Sequence, residues 1–255
     1  MRVLVTGACG WTAASIVEAV TEAGHEVYGF DLPDVPCNAR TQARLSALMH
    51  GTIESAHDID LAVRSVDAII HLAVSIGRDA YRSPGEPFAV NVLGTYNIFA
   101  SALHHGVSKV VLMSEAAVHL LPHGATLDAR HDWRSAPDDD HLYDITKRLQ
   151  EEIAKDFCET YGMTAVSLRA GHIVDGRARV DPEGRPLAEV VYCRGGWVCR
   201  YDLARACIKA LELESAGYTA FHVIGSAGAH KHFDIERTER DLGLVCAERF
   251  EQYAY

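Results

Sequence analysis

Arg2-Val3-Leu4-Val5-Thr6-Gly7-Ala8-Cys9-Gly10-Trp11-Thr12-Ala13 opens the chain and decides its architecture. The apolar run Arg2–Thr6 reads as a buried strand, and an amphipathic run from Trp11 to Ala23 reads as a helix. Between them Gly7 permits a tight turn, and Gly10 lets a pyrophosphate approach the backbone at the helix N-terminus. Ala13 is small enough for close helix–strand packing. A second strand, Glu26–Phe30, delivers Asp31 about 20 residues after the turn. A carboxylate there accepts hydrogen bonds from the adenosine ribose hydroxyls and repels a 2′-phosphate. The turn therefore predicts a dinucleotide site that favours NAD over NADP.

Outward from this unit, short apolar runs alternate with longer amphipathic ones, the pattern of a parallel sheet covered on both faces. Further strands are expected at Leu48–Thr52, Ala68–Leu72, Lys109–Ser114, Thr164–Arg169 and Ala220–Ile224. Further helices are expected at Thr41–Ala47, Ile59–Ser65, Phe88–His105, His141–Tyr161 and Asp202–Glu214. Gly24, Gly106 and Gly162 each close a helix before a strand. The fold class is α/β, a doubly wound parallel sheet of about seven strands with a small C-terminal cap. Residues 1–174, completed by 199–226, form the dinucleotide-binding domain; 175–198 and 227–255 form the cap over the sheet's C-terminal edge. Leu120–Asp140 is a polar, proline-bearing loop placed to wall an active site.

Composition excludes several classes of partner. Among 255 residues, 24 Lys and Arg oppose 35 Asp and Glu for a formal charge of −11, with no basic run to hold nucleic acid or an anionic membrane. No apolar stretch reaches the ~18–20 residues that span a bilayer, and no leader precedes the first strand. Seven cysteines without CxxC spacing read as free thiols in a reducing cytoplasm. The fourteen histidines, including the His104-His105 pair, have no metal-site spacing and read as solvated side chains.

Tyr143-Asp144-Ile145-Thr146-Lys147 places a phenol and an ammonium four residues apart on one helical face. A tyrosine with a pKa near 10 is a poor base at neutral pH. A lysine charge about 5 Å away lowers that value by about two units, which makes the phenol a workable proton donor and acceptor.

With this pair in place the chain resembles the short-chain dehydrogenase/reductase superfamily, in its extended epimerase/dehydratase branch with a Rossmann sheet. The likeness is carried by Gly7-Ala8-Cys9-Gly10, Val66-Asp67-Ala68-Ile69-Ile70-His71-Leu72-Ala73, Asn91-Val92-Leu93-Gly94-Thr95-Tyr96-Asn97, Tyr143–Lys147 and Trp197–Ala204. The resemblance implies that Tyr143 and Lys147 are catalytic and that Lys147 holds the nicotinamide ribose. It implies cofactor contacts at Gly7, Cys9, Gly10, Trp11, Thr12, Asp31, Leu32, Thr52, Ile53, Leu72, Ala73, Val74, Asn91 and Ala170. Thr52 departs from the family's usual aspartate and weakens one adenine contact. His71 is a structural residue by the same resemblance. Relatives pair through the Phe88–His105 and His141–Tyr161 helices, which implies a homodimer.

A larger departure lies at Met113-Ser114-Glu115-Ala116-Ala117-Val118-His119, where Glu115 occupies the family's second, substrate-binding hydroxyl position. An ionised carboxylate cannot donate to a carbonyl and repels a developing alkoxide. Three accounts stand open: a protonated Glu115, a carboxylate that accepts from a substrate hydroxyl or binds a cation, or impaired hydride chemistry. Ser114 could substitute only after a register change, since neighbours on a strand face opposite sides. In length and in its ending the chain resembles the uronate dehydrogenases, through Arg169-Ala170-Gly171-His172 and Phe221–Ala227. Ser75, His172 and Arg194 are the expected substrate contacts beside Glu115 and Tyr143, with Arg194 suited to an anionic group. The expected activity is NAD-dependent hydride transfer at a sugar or sugar-acid hydroxyl. An NAD-dependent sugar epimerase or dehydratase and a non-catalytic NAD sensor are the competing readings.

Overall fold

The computed structural model describes residues 1–76, 85–116, 139–190, 196–231 and 233–253. Arg194 and most of the Leu120–Asp140 loop lie outside them. Seven parallel strands form one sheet in the order β3-β2-β1-β4-β5-β6-β9. They are β1 (Arg2–Thr6), β2 (Glu26–Asp31), β3 (Ala47–His50), β4 (Ala68–His71), β5 (Lys109–Glu115), β6 (Thr164–Ala170) and β9 (Gly217–Val223). The strand order reverses between β1 and β4, where a doubly wound sheet opens a crevice at its C-terminal edge.

Helix α1 (Trp11–Glu22) buries Ala13, Ile16, Val17 and Val20, a 3.6-period stripe. It packs with α6 (Arg200–Glu212) on one face of the sheet, where Val3, Val5, Leu203, Ala206 and Ala210 share a core. The other face is covered by α3 (Ala56–Val63), α4 (Gly94–His104) and α5 (Asp139–Tyr161), with Leu4, Ile69, Ile98, Phe99, Leu112 and Ala154 between. Strands with both faces covered read as continuous apolar runs, which is why they stand out in the sequence. Gly24, Gly106 and Gly162 all take the left-handed conformation expected of them.

Local differences from the sequence expectation have local causes. The helix expected over Thr41–Ala47 is the short α2 (Ala39–Gln42), capped by Asn38. It stops there because the Ser46 N–H bonds the Val27 carbonyl at 2.8 Å, drawing the chain into the sheet. Strand β3 ends at His50, before Thr52, because the Asp58 carboxylate takes the Thr52 N–H at 3.1 Å. The Phe88–His105 helix begins as a π-helical segment, Phe88–Leu93, and becomes α-helical at Gly94. A Cβ at Gly94 would lie 2.6 Å from Ile53 Cδ1, so only glycine admits this approach.

A two-stranded parallel sheet, β7 (His172–Val174) and β8 (Trp197–Cys199), follows the main one. The C-terminal segment meets it through Phe250 and Tyr253, whose rings lie 5.7 and 5.3 Å from Trp197. The same segment sends Leu242, Leu244 and Cys246 into the core beside α6. Helix α7 (Ile235–Asp241) runs against β9, with Thr238 donating to the His222 carbonyl at 2.7 Å.

Candidate functional site

The glycine turn leaves β1 at the sheet's reversal point. Gly7 has φ +69°, and a Cβ there would stand 3.0 Å from the Ala73 nitrogen, so the turn closes tightly against the end of β4. Gly10 is the N-cap of α1 and no side chain caps the helix. Its first-turn amides and dipole therefore face the crevice, a ready anion site. At the end of β2 the two Asp31 oxygens accept the Cys9 and Leu32 N–H groups at 2.7 and 2.8 Å. This aims a half-buried carboxylate at the mouth of the turn. Burial, the Cys37 thiol and the Asp31 carboxylate push the Cys9 thiol up to about 12, so it stays protonated at neutral pH. The uncapped helix, the glycine cradle and the placed carboxylate together fit a dinucleotide. Leu32 and Val74 are exposed along this rim, and Leu72 and Ala73 are half-buried.

A buried hydrogen-bond chain fixes the floor. Thr6 Oγ1 accepts the Leu72 and Ala73 N–H groups at 3.2 Å and lies 2.7 Å from His71 Nδ1. His71 Nε2 lies 3.1 Å from Thr95 Oγ1, which donates to the Asn91 carbonyl and accepts from Gln150. With the Thr95 proton so committed, His71 donates from Nε2 to Thr95 and accepts the Thr6 hydroxyl proton at Nδ1. Burial, with Lys147 second, pushes His71 down to about 3, so the ring stays neutral. This gives the structural role expected for His71 a definite form.

Asn91 braces the loop beside the site. It is fully buried, with its amide oxygen accepting the Ser75 N–H at 2.8 Å. Its amide nitrogen donates to the Ser75 carbonyl and to Thr146 Oγ1, both at 2.9 Å. Asn91 thus fastens the Ser75 loop to α5 and positions the site.

Helix α5 carries Tyr143 and Lys147 to the end of β5. Lys147 is 3% exposed. Its Nζ donates to the Met113 carbonyl at 2.5 Å and stands 5.9 Å from the centre of the half-buried Tyr143 ring. Burial lowers Lys147 to about 8, against the opposing pull of Glu115 and Glu151. Glu151, one turn further along α5, is itself held by a two-pronged pair with Arg169 at 3.0 and 2.7 Å and by Tyr218 at 2.5 Å. Ser114, paired with Arg169 in the sheet, is buried, and its hydroxyl has no hydrogen-bond partner among the described residues.

The remaining expected residues sit around this centre. Ser75 donates its hydroxyl to Glu86 at 2.9 Å, His172 is exposed at the start of β7, and Ala170 ends β6. Ile53 is buried against Gly94, and Thr52 spends its N–H on Asp58. Away from the site, His105 is not simply solvated: its Nε2 lies 2.7 Å from Asp60, with His104 alongside. The functional neighbours that sequence reasoning missed are Thr95, Gln150, Glu151 and Arg169. Thr95 and Arg169 lie in stretches that carry the family resemblance, and Glu151 stands at i+4 from Lys147, but none of these signals names a partner.

Comparison with known proteins gives the family. Residues 3–190 match the NAD dependent epimerase/dehydratase family, and the chain belongs to that family, with NAD as its cofactor. It is 30% identical over 188 residues to UDP-glucose 4-epimerase of Azospirillum brasilense, covering 72% of this chain and 51% of the epimerase. The chain thus spans about half the length of that relative. It is 24% identical over 222 residues to uronate dehydrogenase of Pseudomonas syringae pv. tomato, covering 87% of this chain and 73% of that protein. It is also 24% identical over 254 residues to L-arabinose 1-dehydrogenase (NAD(P)(+)) of Haloferax volcanii, covering 95% and 94%. Among solved structures, a short-chain dehydrogenase/reductase superfamily protein from Agrobacterium tumefaciens with bound NAD shares the fold. That match has a TM-score of 0.76 at 22% identity and covers 99% of this chain and 94% of the other.

Proposed function

We propose that this protein is an NAD-dependent oxidoreductase that oxidises a hydroxyl of a free sugar or sugar acid. The observation that carries the reading is the Lys147 ammonium, buried 5.9 Å from the Tyr143 ring beside the dinucleotide crevice. NAD, when bound, supplies the hydride acceptor. Tyr143 takes the substrate hydroxyl proton, and Lys147 favours the phenolate that receives it. Asp31 holds the adenosine ribose and selects NAD over NADP, and the uncapped first turn of α1 holds the pyrophosphate. Of the three accounts of Glu115 the second fits best with Tyr143 as the proton carrier: the carboxylate accepts from a substrate hydroxyl.

The chain accounts for 94% of the L-arabinose dehydrogenase and 73% of the uronate dehydrogenase, but 51% of the epimerase. The match to the L-arabinose dehydrogenase along nearly the whole of both chains supports oxidation of a free sugar. Steady NADH formation by the purified protein on a panel of uronates and aldoses tests the reading. Isomerised substrate without NADH would favour the epimerase instead.

The domain division, with 175–198 and 227–255 capping the 1–174 and 199–226 core, belongs to the same proposal. So does a homodimer through α4 and α5, supported by the exposed Leu93, Tyr96, Leu103 and Leu149. The six described cysteines are free, which supports a reducing cytoplasmic location. Among the described residues no helix is long and apolar enough to cross a membrane.

A further inference from the structure

Arg200, the first residue of α6, is held against the first turn of α1. Its carbonyl accepts the Ser15 hydroxyl at 3.1 Å, and its guanidinium lies 4.4 Å from the centre of the Trp11 ring and 5.3 Å from that of Tyr201. The side chain is 14% exposed. No hydrogen bond reaches the guanidinium among the described residues, and its buried Nε is left without a partner. Asp175 approaches only to 3.9 Å, while its other oxygen is committed to the Arg177 and Ala178 N–H groups at 3.0 and 2.8 Å. A second guanidinium, Arg177, covers the Tyr201 ring at 3.7 Å. The Arg200 guanidinium thus has a second cation nearby and, among the described residues, only one carboxylate, at 3.9 Å, to face it. A largely desolvated guanidinium without an anion is unfavourable, and its flat fork suits oxygen anions held in pairs.

Trp11 supplies the direction. It directly follows Gly10 at the uncapped N-terminus of α1, where the cofactor's pyrophosphate is expected. We propose that Arg200, stacked on Trp11 as a platform, binds the pyrophosphate of the dinucleotide and completes the anion site begun by the turn amides. This inference rests on the assignment of NAD as cofactor.

The test compares the dissociation constants of NAD, ADP-ribose and adenosine for the full-length wild type, Arg200→Ala and Arg200→Lys, each at low and high salt. Arg200→Ala is expected to weaken NAD and ADP-ribose at least tenfold, leave adenosine within twofold, and flatten the salt dependence of NAD binding. Arg200→Lys keeps the charge but loses the stacked fork, and is expected to recover part of the affinity. If Arg200→Ala does not fold, the lysine variant and the wild-type salt dependence decide. Unchanged NAD and ADP-ribose affinity in a folded variant overturns the proposal. A rise in KM for an anionic substrate without change in NAD affinity also overturns it, by giving the guanidinium to the substrate. Failure of the wild type to bind any of the three ligands would instead overturn the cofactor assignment beneath it.

Discussion

Replacing Lys147 by methionine keeps an unbranched stem in the buried slot and removes the charge 5.9 Å from the centre of the Tyr143 ring. At an effective dielectric of about 20, a unit charge at that distance is worth about 3 kcal/mol, or about two pKa units on the phenol. The phenolate fraction below its pKa then falls about a hundredfold, and kcat/KM for oxidation falls with it. The rising limb of the pH profile moves about two units towards alkali. Stability moves the opposite way. The folded pKa of Lys147, about 8, lies below its ordinary value, so the unfolded chain binds the extra proton between the two. The stability linked to this group is complete only above the unfolded pKa and is lost as pH falls through about 8. At neutral pH the buried charge costs about 3 kcal/mol, partly offset by the bond to the Met113 carbonyl. Cofactor-free Lys147→Met is therefore expected to be more stable than wild type by about 1 kcal/mol and far less active. Initial rates of NADH formation across pH, with thermal melts of the same samples, check both signs. A kcat/KM within about threefold of wild type, or an unmoved rising limb, would refute the coupling.

Asp31→Ala removes the acceptor of the Cys9 and Leu32 N–H groups and the carboxylate that repels a 2′-phosphate. A wild-type preference for NAD of about tenfold or more should shrink, read from the two cofactors' dissociation constants. Glu115→Gln removes an influence that raises Lys147, so Lys147 is expected to titrate below about 8, and activity is expected to fall at high pH, where Lys147 loses its charge, sooner than in wild type. If Glu115 also grips a substrate hydroxyl, KM rises in the same variant. Gly94→Ala forces a Cβ to within 2.6 Å of Ile53 and should destabilise the fold by about 1–3 kcal/mol in urea unfolding.

The parts of this site that are contiguous in sequence could be read before any coordinates. The strand–turn–helix of Arg2–Ala13, the acid closing the next strand and the i, i+4 pair Tyr143–Lys147 are each set by local spacing. The parts that could not be read depend on sheet order. Thr6, His71, Thr95 and Gln150 are scattered along the chain, and their hydrogen bonds exist only once β1 lies beside β4 and α4 beside α5. Arg169 reads as a strand residue of unknown partner until β6 places it against Glu151. Periodicity identifies the buried face of an element, not the polar group that will meet it there. The early end of β3 has the same origin: Asp58 competes for the Thr52 N–H from the following helix. The bracing bonds of Asn91 to the Ser75 loop and to Thr146 likewise depend on tertiary packing that its motif does not show.

The central claim is that the Tyr143 phenol carries the proton during NAD-dependent oxidation of a sugar hydroxyl. Tyr143→Phe keeps the ring on its helical turn and removes only the oxygen. The deciding measurement is the steady rate of NADH formation by this variant on the best substrate of the panel, with NAD affinity determined on the same preparation. The account predicts a fall of about a hundredfold or more in rate, with NAD affinity within about twofold of wild type. A Phe variant that retains its rate would contradict the account and move the proton transfer to another residue, with Glu115 the first to examine.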